Sequence, residues 1–196
     1  WEVKRLADVC DIVMGQSPKS EFYNETGEGL PFHQGVTYFG DRFPVDRVYC
    51  TVENRIAEND DILFSVRAPV GRINVANKKI VIGRGLSAIR SKTGHQPFMY
   101  QQLKEKFQVE DAMGGGTIFK AVTKDDMQRI KILISPELLI DRFEGVVRPI
   151  FSSLEVLTMK TANLRCTRDT LLPKLVSGEI RVKDVEILVE NNRNGV

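Results

Sequence analysis

The C-terminal part of the chain carries an apolar pattern with helical spacing. Positions on one face recur three and four residues apart, and that alternation is the heptad repeat of a helix that packs along another helix. Two of these positions, Thr161 and Arg168, are polar, which costs stability but favours one register or direction of pairing. The predicted interface consists of Ile140, Phe143, Val147, Ile150, Leu154, Leu157, Thr161, Leu164, Arg168, Leu171 and Leu175.

Signals at both ends define this helix. Ser135 and Pro136 precede Glu137 as a capping hydroxyl and a first-turn proline, and Gly178 is a natural stop. Such a helix would be about 55–60 Å long, so we expect it to project from a small domain. We predict no second helix of comparable length, so the partner helix should come from another copy or another subunit. Whether Pro149 kinks or breaks the helix is left open by the sequence.

Upstream of the helix, short apolar runs separated by turn residues indicate a β-rich, mostly antiparallel domain. The predicted fold class is α+β, with a β-rich globular domain followed by a long α-helix that pairs with another helix as a coiled coil. The clearest predicted elements are strands at 62–66, 72–76, 79–82, 86–89 and 131–134, a helix at 97–107 and a capped helical turn at Thr123. The predicted divisions are a globular domain at 1–135, a long helical region for dimerisation at 136–180 and a polar tail at 181–196.

Composition narrows the class of protein. The 196 residues are 42% hydrophobic and 28% charged, which is typical of a soluble, cytoplasmic protein with a real core. No apolar run is long enough to span a membrane, and the N-terminal residues do not resemble a signal peptide. Three widely spaced cysteines and two histidines disfavour a zinc site. Because the first residue is Trp1 rather than Met, the numbering is compatible with a start inside a longer chain.

The charges are unevenly distributed along the chain. Between Ile62 and Lys104 there is no Asp or Glu, while the preceding residues 41–61 are rich in acids. An acid-free basic block is the pattern expected of a surface that binds a polyanion. The alternative is that acids from elsewhere in the fold neutralise it. The block contains eight basic residues: Arg67, Arg72, Lys78, Lys79, Arg84, Arg90, Lys92 and Lys104.

Motifs for catalysis are missing from the sequence. The Gly114–Gly116 turn is not followed by the Lys-Ser/Thr of a phosphate loop, and Gly83-Arg84-Gly85 lacks the rest of a dinucleotide fingerprint. There is no H-E-x-x-H or G-x-S-x-G segment. These observations favour a binding protein over an independent enzyme.

Hydrogen-bond donors in the predicted loops are the remaining candidate chemistry. Arg and Gln make bidentate contacts to guanine and adenine edges, and Lys binds phosphates. Each of these residues could equally be a solvated surface group. The candidate DNA-binding residues are Ser17, Lys19, Gln34, Thr37, Arg42, Arg67, Arg72, Arg84, Lys92 and Lys120.

Seven segments of the sequence match a known family: 1–9, 15–18, 32–35, 61–71, 82–85, 116–119 and 168–180. Together they resemble the DNA specificity (S) subunit of type I restriction–modification systems. They cover nearly the whole chain, and the segment Leu171-Leu172-Pro173-Lys174-Leu175 is the most specific of them. The resemblance implies a target-recognition domain, a helical spacer and a function limited to binding. It places methylation, cleavage, S-adenosylmethionine, ATP and Mg in partner methyltransferase (M) and restriction (R) subunits.

One departure from the family pattern is important. The usual S subunit has two recognition domains and two paired helices, and this chain has one of each. We therefore expect two copies to pair their helices antiparallel and to read a bipartite, symmetric target. A rod of about 55 Å exceeds the ~34 Å helical turn of DNA, so the half-sites should lie several base pairs apart. The alternative is a fragment of a two-domain subunit.

The resemblance also separates two kinds of DNA contact. Segments shared by the family cannot encode different targets, so base readout should lie in the loops 16–28, 36–50 and 91–96. We expect Gln34 and Arg42 to affect which sequence is bound, and Arg84 and Lys92 to contact phosphates. Two other functions remain as hypotheses: a coiled-coil scaffold whose head binds protein rather than DNA, and a nuclease or transferase with an unfamiliar site.

Overall fold

The computed structural model describes residues 1–112 and 121–181, with side chains for 1–107 and 121–181. The chain divides into two units, Trp1–Arg148 and Pro149–Val196. Within the described residues, no helix is long and apolar enough to cross a membrane. The strands are β1 (Glu2–Arg5), β2 (Cys10–Met14), β3 (Tyr23–Asn24), β4 (Leu30–His33), β5 (Tyr49–Cys50), β6 (Ile56–Ala57), β7 (Ile62–Ser65), β8 (Ile73–Val75), β9 (Ile80–Ile82), β10 (Leu86–Ser91) and β11 (Lys131–Ile134). The helices are α1 (Leu6–Val9), α2 (Gln96–Ala112), α3 (Lys124–Arg129) and α4 (Glu137–Val176).

The central sheet of the first unit has the strand order β2-β10-β7-β8, and every neighbouring pair is antiparallel. All four residues of β7 are buried, which explains why this segment reads as a continuous apolar run rather than an alternating one. Leu63, Leu86 and Ala88 contribute to a buried cluster that continues into β9. The predicted strands at 62–66, 72–76, 79–82 and 86–89 are confirmed.

A second sheet has the strand order β3-β5-β4-β9-β6. Its core contains Phe32, Cys50 and Val81, and the Tyr23 ring stacks on Phe32 with ring centroids 4.5 Å apart. The β4–β9 pair is parallel, whereas the other pairs in this sheet are antiparallel. The expectation of a mostly antiparallel domain is therefore confirmed.

The N-terminal strand β1 pairs with β11, the last strand before the long helix. The sequence did not predict β1, because its residues are exposed and show no alternation. The short helix α3 begins at Thr123, whose hydroxyl accepts a hydrogen bond from the Asp126 N–H at 3.2 Å. The predicted capped turn at Thr123 is confirmed.

The long helix α4 has 40 residues and starts at the predicted Glu137. It continues through Pro149 and Pro173, so the proline that the sequence left undecided does not break it. Gly178 adopts a positive φ of 75° shortly after the last helical residue, as expected of a glycine that ends a helix.

The first turns of α4 pack within the first unit. Ile140 is buried, and Phe143 meets Phe98 of α2 edge to face at 6.0 Å between ring centroids. The unit extends to Arg148, past the predicted boundary at residue 135, because these turns cover α2. Ile140 and Phe143 were expected to face a partner helix. They are instead covered by the domain itself, and Val147 is half-buried.

A buried carboxylate links α4 to the start of α2. Glu144 is 5% exposed, and its Oε1 accepts a hydrogen bond from the Phe98 N–H at 2.9 Å. The first N–H groups of a helix have no partner within the helix, so Glu144 satisfies one of them and complements the helix dipole. Arg148 Nη2 donates to Glu144 Oε2 at 2.8 Å and to the Gly94 carbonyl at 2.9 Å. This network fixes residues 94–98 against α4.

We predict that Glu144→Ala lowers the free energy of unfolding by about 1–3 kcal/mol, since it leaves a buried N–H unpaired. Glu144→Gln should retain more stability, because the amide oxygen can still accept that hydrogen bond. The measurement is urea unfolding followed by circular dichroism. Glu155→Ala, on the same helix but outside this network, is the control, and an equal loss in both alanine variants would contradict the assignment.

Candidate nucleic-acid interface

Four loops meet at one end of the central sheet. The strand registers pair Met14 with Ser87, Leu86 with Ser65, and Phe64 with Ile73. The residues that follow β2 and β7 therefore lie beside the residues that precede β10 and β8. We call this end of the sheet the arginine end and define it by Ser17, Gln34, Arg67, Arg72 and Arg84.

Backbone hydrogen bonds join these loops to one another. The Gly15 N–H donates to the Leu86 carbonyl at 2.9 Å, and the Gln16 N–H donates to the Ile82 carbonyl at 3.0 Å. The Val66 N–H donates to the Gly85 carbonyl at 2.9 Å. Residues that are far apart in the sequence are thus fixed at one place.

The Gly83-Arg84-Gly85 turn is held at each of its three N–H groups. Gly83 donates to the His33 carbonyl at 2.9 Å and Gly85 to the Gln34 carbonyl at 3.0 Å. The Arg84 N–H donates to Ser17 Oγ at 3.2 Å, and that hydroxyl donates to Gln34 Oε1 at 2.7 Å. Both glycines are buried and Arg84 is exposed. The turn therefore displays the Arg84 side chain on a fixed backbone.

Close backbone approach explains two of the glycines. A Cβ at position 83 would lie 2.6 Å from Gln34 Oε1 and 2.8 Å from Gln34 Cα. A Cβ at position 15 would lie 2.1 Å from the Gly83 carbonyl oxygen. The loops can approach this closely only because these residues lack side chains.

Ser65 organises the loop that carries Arg67 and Arg72. Its buried hydroxyl donates to the Pro69 carbonyl at 2.6 Å and accepts from the Arg72 N–H at 2.8 Å. The backbone of Arg67 also bridges to Ala121. Arg67, Arg72 and Arg84 are all exposed, while the strand residues next to them are buried.

Acids neutralise another part of the basic block. Lys78 Nζ lies 2.8 Å from Asp46 Oδ2, and Lys79 Nζ lies 2.8 Å from Glu53 Oε2. Arg90 makes two 2.7 Å hydrogen bonds to the buried carboxylate of Asp61. The alternative interpretation, neutralisation by acids elsewhere in the fold, therefore holds for these three residues. Three other arginines of the block gather at one end of the sheet, and polyanion binding there stays a prediction.

A buried histidine lies behind the arginine end. His33 Nε2 is 3.0 Å from Asp46 Oδ1, and Lys78 contacts the other oxygen of this carboxylate. Partial burial alone would raise the pKa of Asp46, but the hydrogen bonds from His33 and Lys78 outweigh it and lower that pKa. Because the His33 carbonyl accepts a hydrogen bond from the Gly83 N–H, this buried hydrogen-bonded residue supports the turn from within the fold.

The structure brings together five of the ten predicted DNA-binding residues at the arginine end. Lys19 is exposed in the loop after Ser17, 3.7 Å from Glu21, and Thr37 is exposed in the turn after Gln34. Lys120 and the Gly114–Gly116 turn lie outside the described residues.

Lys92 lies away from the arginine end. It follows β10, and Arg84 precedes that strand of six residues, about 20 Å in length. Lys92 Nζ donates to the Ala7 carbonyl at 2.7 Å. Two residues that follow Lys92 contact α4: His95 Nε2 lies 3.1 Å from Asp141 Oδ1, and the Gly94 carbonyl accepts a hydrogen bond from Arg148. The loop 91–96, expected to read bases, thus has a packing role.

Two residues expected to read bases have structural partners. The Arg42 guanidinium lies over the rings of Tyr100 and Phe43, at 4.9 Å and 5.6 Å from their centroids. The amide oxygen of Gln34 accepts a hydrogen bond from Ser17 Oγ, which fixes the orientation of this side chain beside the Gly83-Arg84-Gly85 turn. Gln34 therefore acts first as a positioning residue.

Sequence reasoning missed the buried polar groups that build the site. Ser65 stands within an apolar strand, and His33 and Asp46 are separated by 13 positions. Local sequence offers one signal, the hydroxyl of Ser65 inside the apolar run Ile62-Leu63-Phe64-Ser65-Val66. A hydroxyl buried in such a strand needs a hydrogen-bond partner nearby. Nothing local links His33 to Asp46.

An exposed group of arginines on a fixed backbone is typical of a domain that binds polyanions. Residues 1–138 match the family model of the type I restriction modification DNA specificity domain. The chain belongs to this family.

Curated relatives carry the same description. The chain is 36% identical over 187 residues to a putative type I restriction enzyme MjaX specificity subunit of Methanocaldococcus jannaschii, covering 93% of this chain and 44% of the relative. It is 27% identical over 195 residues to the HindI specificity subunit of Haemophilus influenzae, covering 92% of this chain and 42% of the relative. The chain thus spans less than half the length of these relatives.

Solved structures agree with this fold. The HsdS subunit from Thermoanaerobacter tengcongensis matches with a TM-score of 0.66 at 35% identity, over 89% of this chain and 44% of that one. A chain described in work on complex assembly and conformational transition of the type I R-M system matches at 0.59 and 35%, over 87% of this chain and 43% of that one. The type I restriction–modification S subunit from M. genitalium matches with a TM-score of 0.68 at 20% identity, over 89% of this chain and 45% of that one. At this identity the match supports the fold alone.

We predict that Gly83→Ala lowers the free energy of unfolding by about 1–3 kcal/mol, because the new methyl group overlaps the Gln34 backbone. Gly35→Ala is the control. Gly35 has an extended φ of −171° and nothing within 4 Å of the added carbon, so its loss should stay below about 0.5 kcal/mol. Thermal unfolding of both variants is the measurement, and equal losses would contradict the close approach.

Proposed function

We propose that this chain is a DNA specificity subunit of a type I restriction–modification system. It binds a bipartite target and directs methyltransferase and endonuclease subunits to it. The observation that carries the proposal is the arginine end, where three exposed arginines lie on a backbone that Gly15, Gly83 and Ser65 fix. A preorganised cationic surface loses little conformational freedom when it binds a duplex.

The arginine end divides into positioning and contact groups. Ser17 and Gln34 hold the Gly83-Arg84-Gly85 turn, and their exposed neighbours Lys19 and Thr37 flank it. Arg84 and Arg67 belong to segments that carry the family resemblance, so phosphate contact suits them better than base readout. Base readout then belongs to the loops beside them.

The second unit supplies the proposed pairing surface. Its heptad positions Ile150, Leu154, Leu157 and Leu164 are 52%, 42%, 58% and 70% exposed. Exposed leucines in heptad register favour a partner helix over a permanently solvated face. Because the start of the heptad pattern is covered by the first unit, the proposed interface begins near Ile150. Two copies that pair here would rebuild two recognition domains and two helices.

Catalysis in this proposal belongs to the partners. The relatives are named as specificity subunits, and the complex assembly described for one matching structure supports a chain that works together with other subunits. Methyltransferase and restriction subunits would bring S-adenosylmethionine, ATP and Mg, and this chain would supply the target. A two-fold arrangement predicts a symmetric target with an interrupting spacer.

We predict that Arg84→Ala weakens binding to all duplex sequences several-fold. It should also reduce the slope of log affinity against log salt by about 1, because one phosphate contact is lost. Lys92→Ala removes the same charge from the opposite end of β10 and is the control. Its affinity and slope should match those of the wild type. The measurement is fluorescence anisotropy of labelled duplexes across a salt series.

Two outcomes would contradict this proposal. If wild-type binding does not fall with rising salt, or is absent, the head does not bind DNA and the protein-binding scaffold is favoured. If Arg84→Ala and Lys92→Ala weaken binding equally, the cationic contact is not localised at the arginine end.

We predict that the chain is dimeric in light scattering at tens of micromolar. Leu157→Lys combined with Leu164→Lys should make it monomeric, because four charges would then face one another in the pair. Met159→Lys is the control. Met159 is 52% exposed, close to the 58% of Leu157, but it lies on the opposite side of the heptad. A monomeric wild type, or dissociation by Met159→Lys alone, would contradict self-pairing through this face.

A further inference from the structure

Residues 38–45 form a short hairpin that begins four positions after Gln34 of the arginine end. Phe39 bridges to Pro44, and the Gly40 N–H donates to the Phe43 carbonyl at 3.1 Å. The Val45 N–H donates to the Tyr38 carbonyl at 2.8 Å. This hydrogen bond and the Phe39–Pro44 bridge place Tyr38 and Val45 directly opposite one another.

The edge of the central sheet anchors this hairpin. The buried Asn74 side chain donates through Nδ2 to the Gly40 carbonyl at 2.9 Å, and the Val75 N–H donates to the Arg42 carbonyl at 2.8 Å. Two residues of the hairpin itself, Phe43 and Pro44, are buried. The hairpin backbone is therefore fixed to the same sheet that carries the arginine end.

Tyr38 and Val45 form an apolar pair on the outside of the hairpin. They are 40% and 49% exposed, respectively. The backbone hydrogen bond between them brings the two residues together, so the Tyr38 ring and the Val45 methyl groups present hydrocarbon at one place on the hairpin. The Tyr38 hydroxyl can hydrogen-bond water, but the ring and the methyl groups are stabilised by contact with another apolar group.

The chain keeps this pair near the arginine end. Tyr38 lies four positions after Gln34 and ends the 3₁₀ turn Val36–Tyr38. Four residues extend over at most about 14 Å, and a 3₁₀ turn is shorter than that. A duplex that contacts Arg84 and Thr37 would also reach Tyr38.

The size and chemistry of the pair indicate what it contacts. Two side chains are far too small for a protein interface, which covers about 800 Å² on each partner. The C5-methyl group of thymine is the apolar group that base edges present in the major groove. We propose that Tyr38 and Val45 contact a thymine methyl group in each half-site, and this inference depends on the proposed DNA-binding function.

Replacement of thymine by uracil tests the contact, because uracil lacks only this methyl group. Once the bound motif is mapped, each thymine is replaced in turn in a labelled duplex and affinity is measured by anisotropy. For the wild type we expect one position in each half-site to lose about three- to fivefold in affinity. In Val45→Ala and Tyr38→Ala the same replacement should have a much smaller effect, as a double-mutant cycle requires for groups in contact.

Val3→Ala is the matched control, since Val3 is a 64% exposed valine in β1, away from the hairpin. It should retain the full uracil effect. The proposal is overturned if no uracil replacement weakens wild-type binding, as expected if the pair acted as a wedge between base steps. It is also overturned if the effect is equal in wild type and hairpin variants. Absence of salt-dependent DNA binding by the wild type would be a failure of the proposed function instead.

Discussion

The hydrogen bonds to the Gly83-Arg84-Gly85 turn are the constraint on which the candidate interface depends. They join three loops to one strand end, because the turn's N–H groups reach His33, Ser17 and Gln34. A side chain at position 15 or 83 would prevent the approach that these bonds need. The exposed position of Arg84 is therefore a consequence of backbone geometry, which His33, Ser17 and Gln34 set through these hydrogen bonds.

Charge pairing explains why only part of the basic block gathers at the arginine end. The acid-rich segment supplies Asp46, Glu53 and Asp61 to Lys78, Lys79 and Arg90. These ion pairs neutralise the three basic residues that lie away from the arginine end, and they stabilise the sheets that support it. The positive charge of the basic block is thus concentrated at Arg67, Arg72 and Arg84, although the net charge of the chain is only +2.

Periodicity predicted much of the fold but little of the site. The apolar runs located β7 to β10 and β11, and the heptad pattern located α4, since burial governs these positions. The packing of the first turns of α4 within the first unit was not predicted, because Glu144 and Arg148 are charged and their partners are distant in the sequence. Gln34, Arg42 and Lys92 were assigned by residue type, and local sequence does not reveal their long-range partners Ser17, Tyr100 and Ala7.

The central claim is that DNA lies against the arginine end, and a photo-crosslinking residue placed at one position at a time tests it most directly. Lys19 and Lys92 are both exposed lysines, but the first lies beside the arginine end and the second at the far end of β10. The account predicts that a benzophenone side chain at position 19 crosslinks to a bound duplex and that one at position 92 does not. Crosslinking from position 92 but not from position 19 would contradict it.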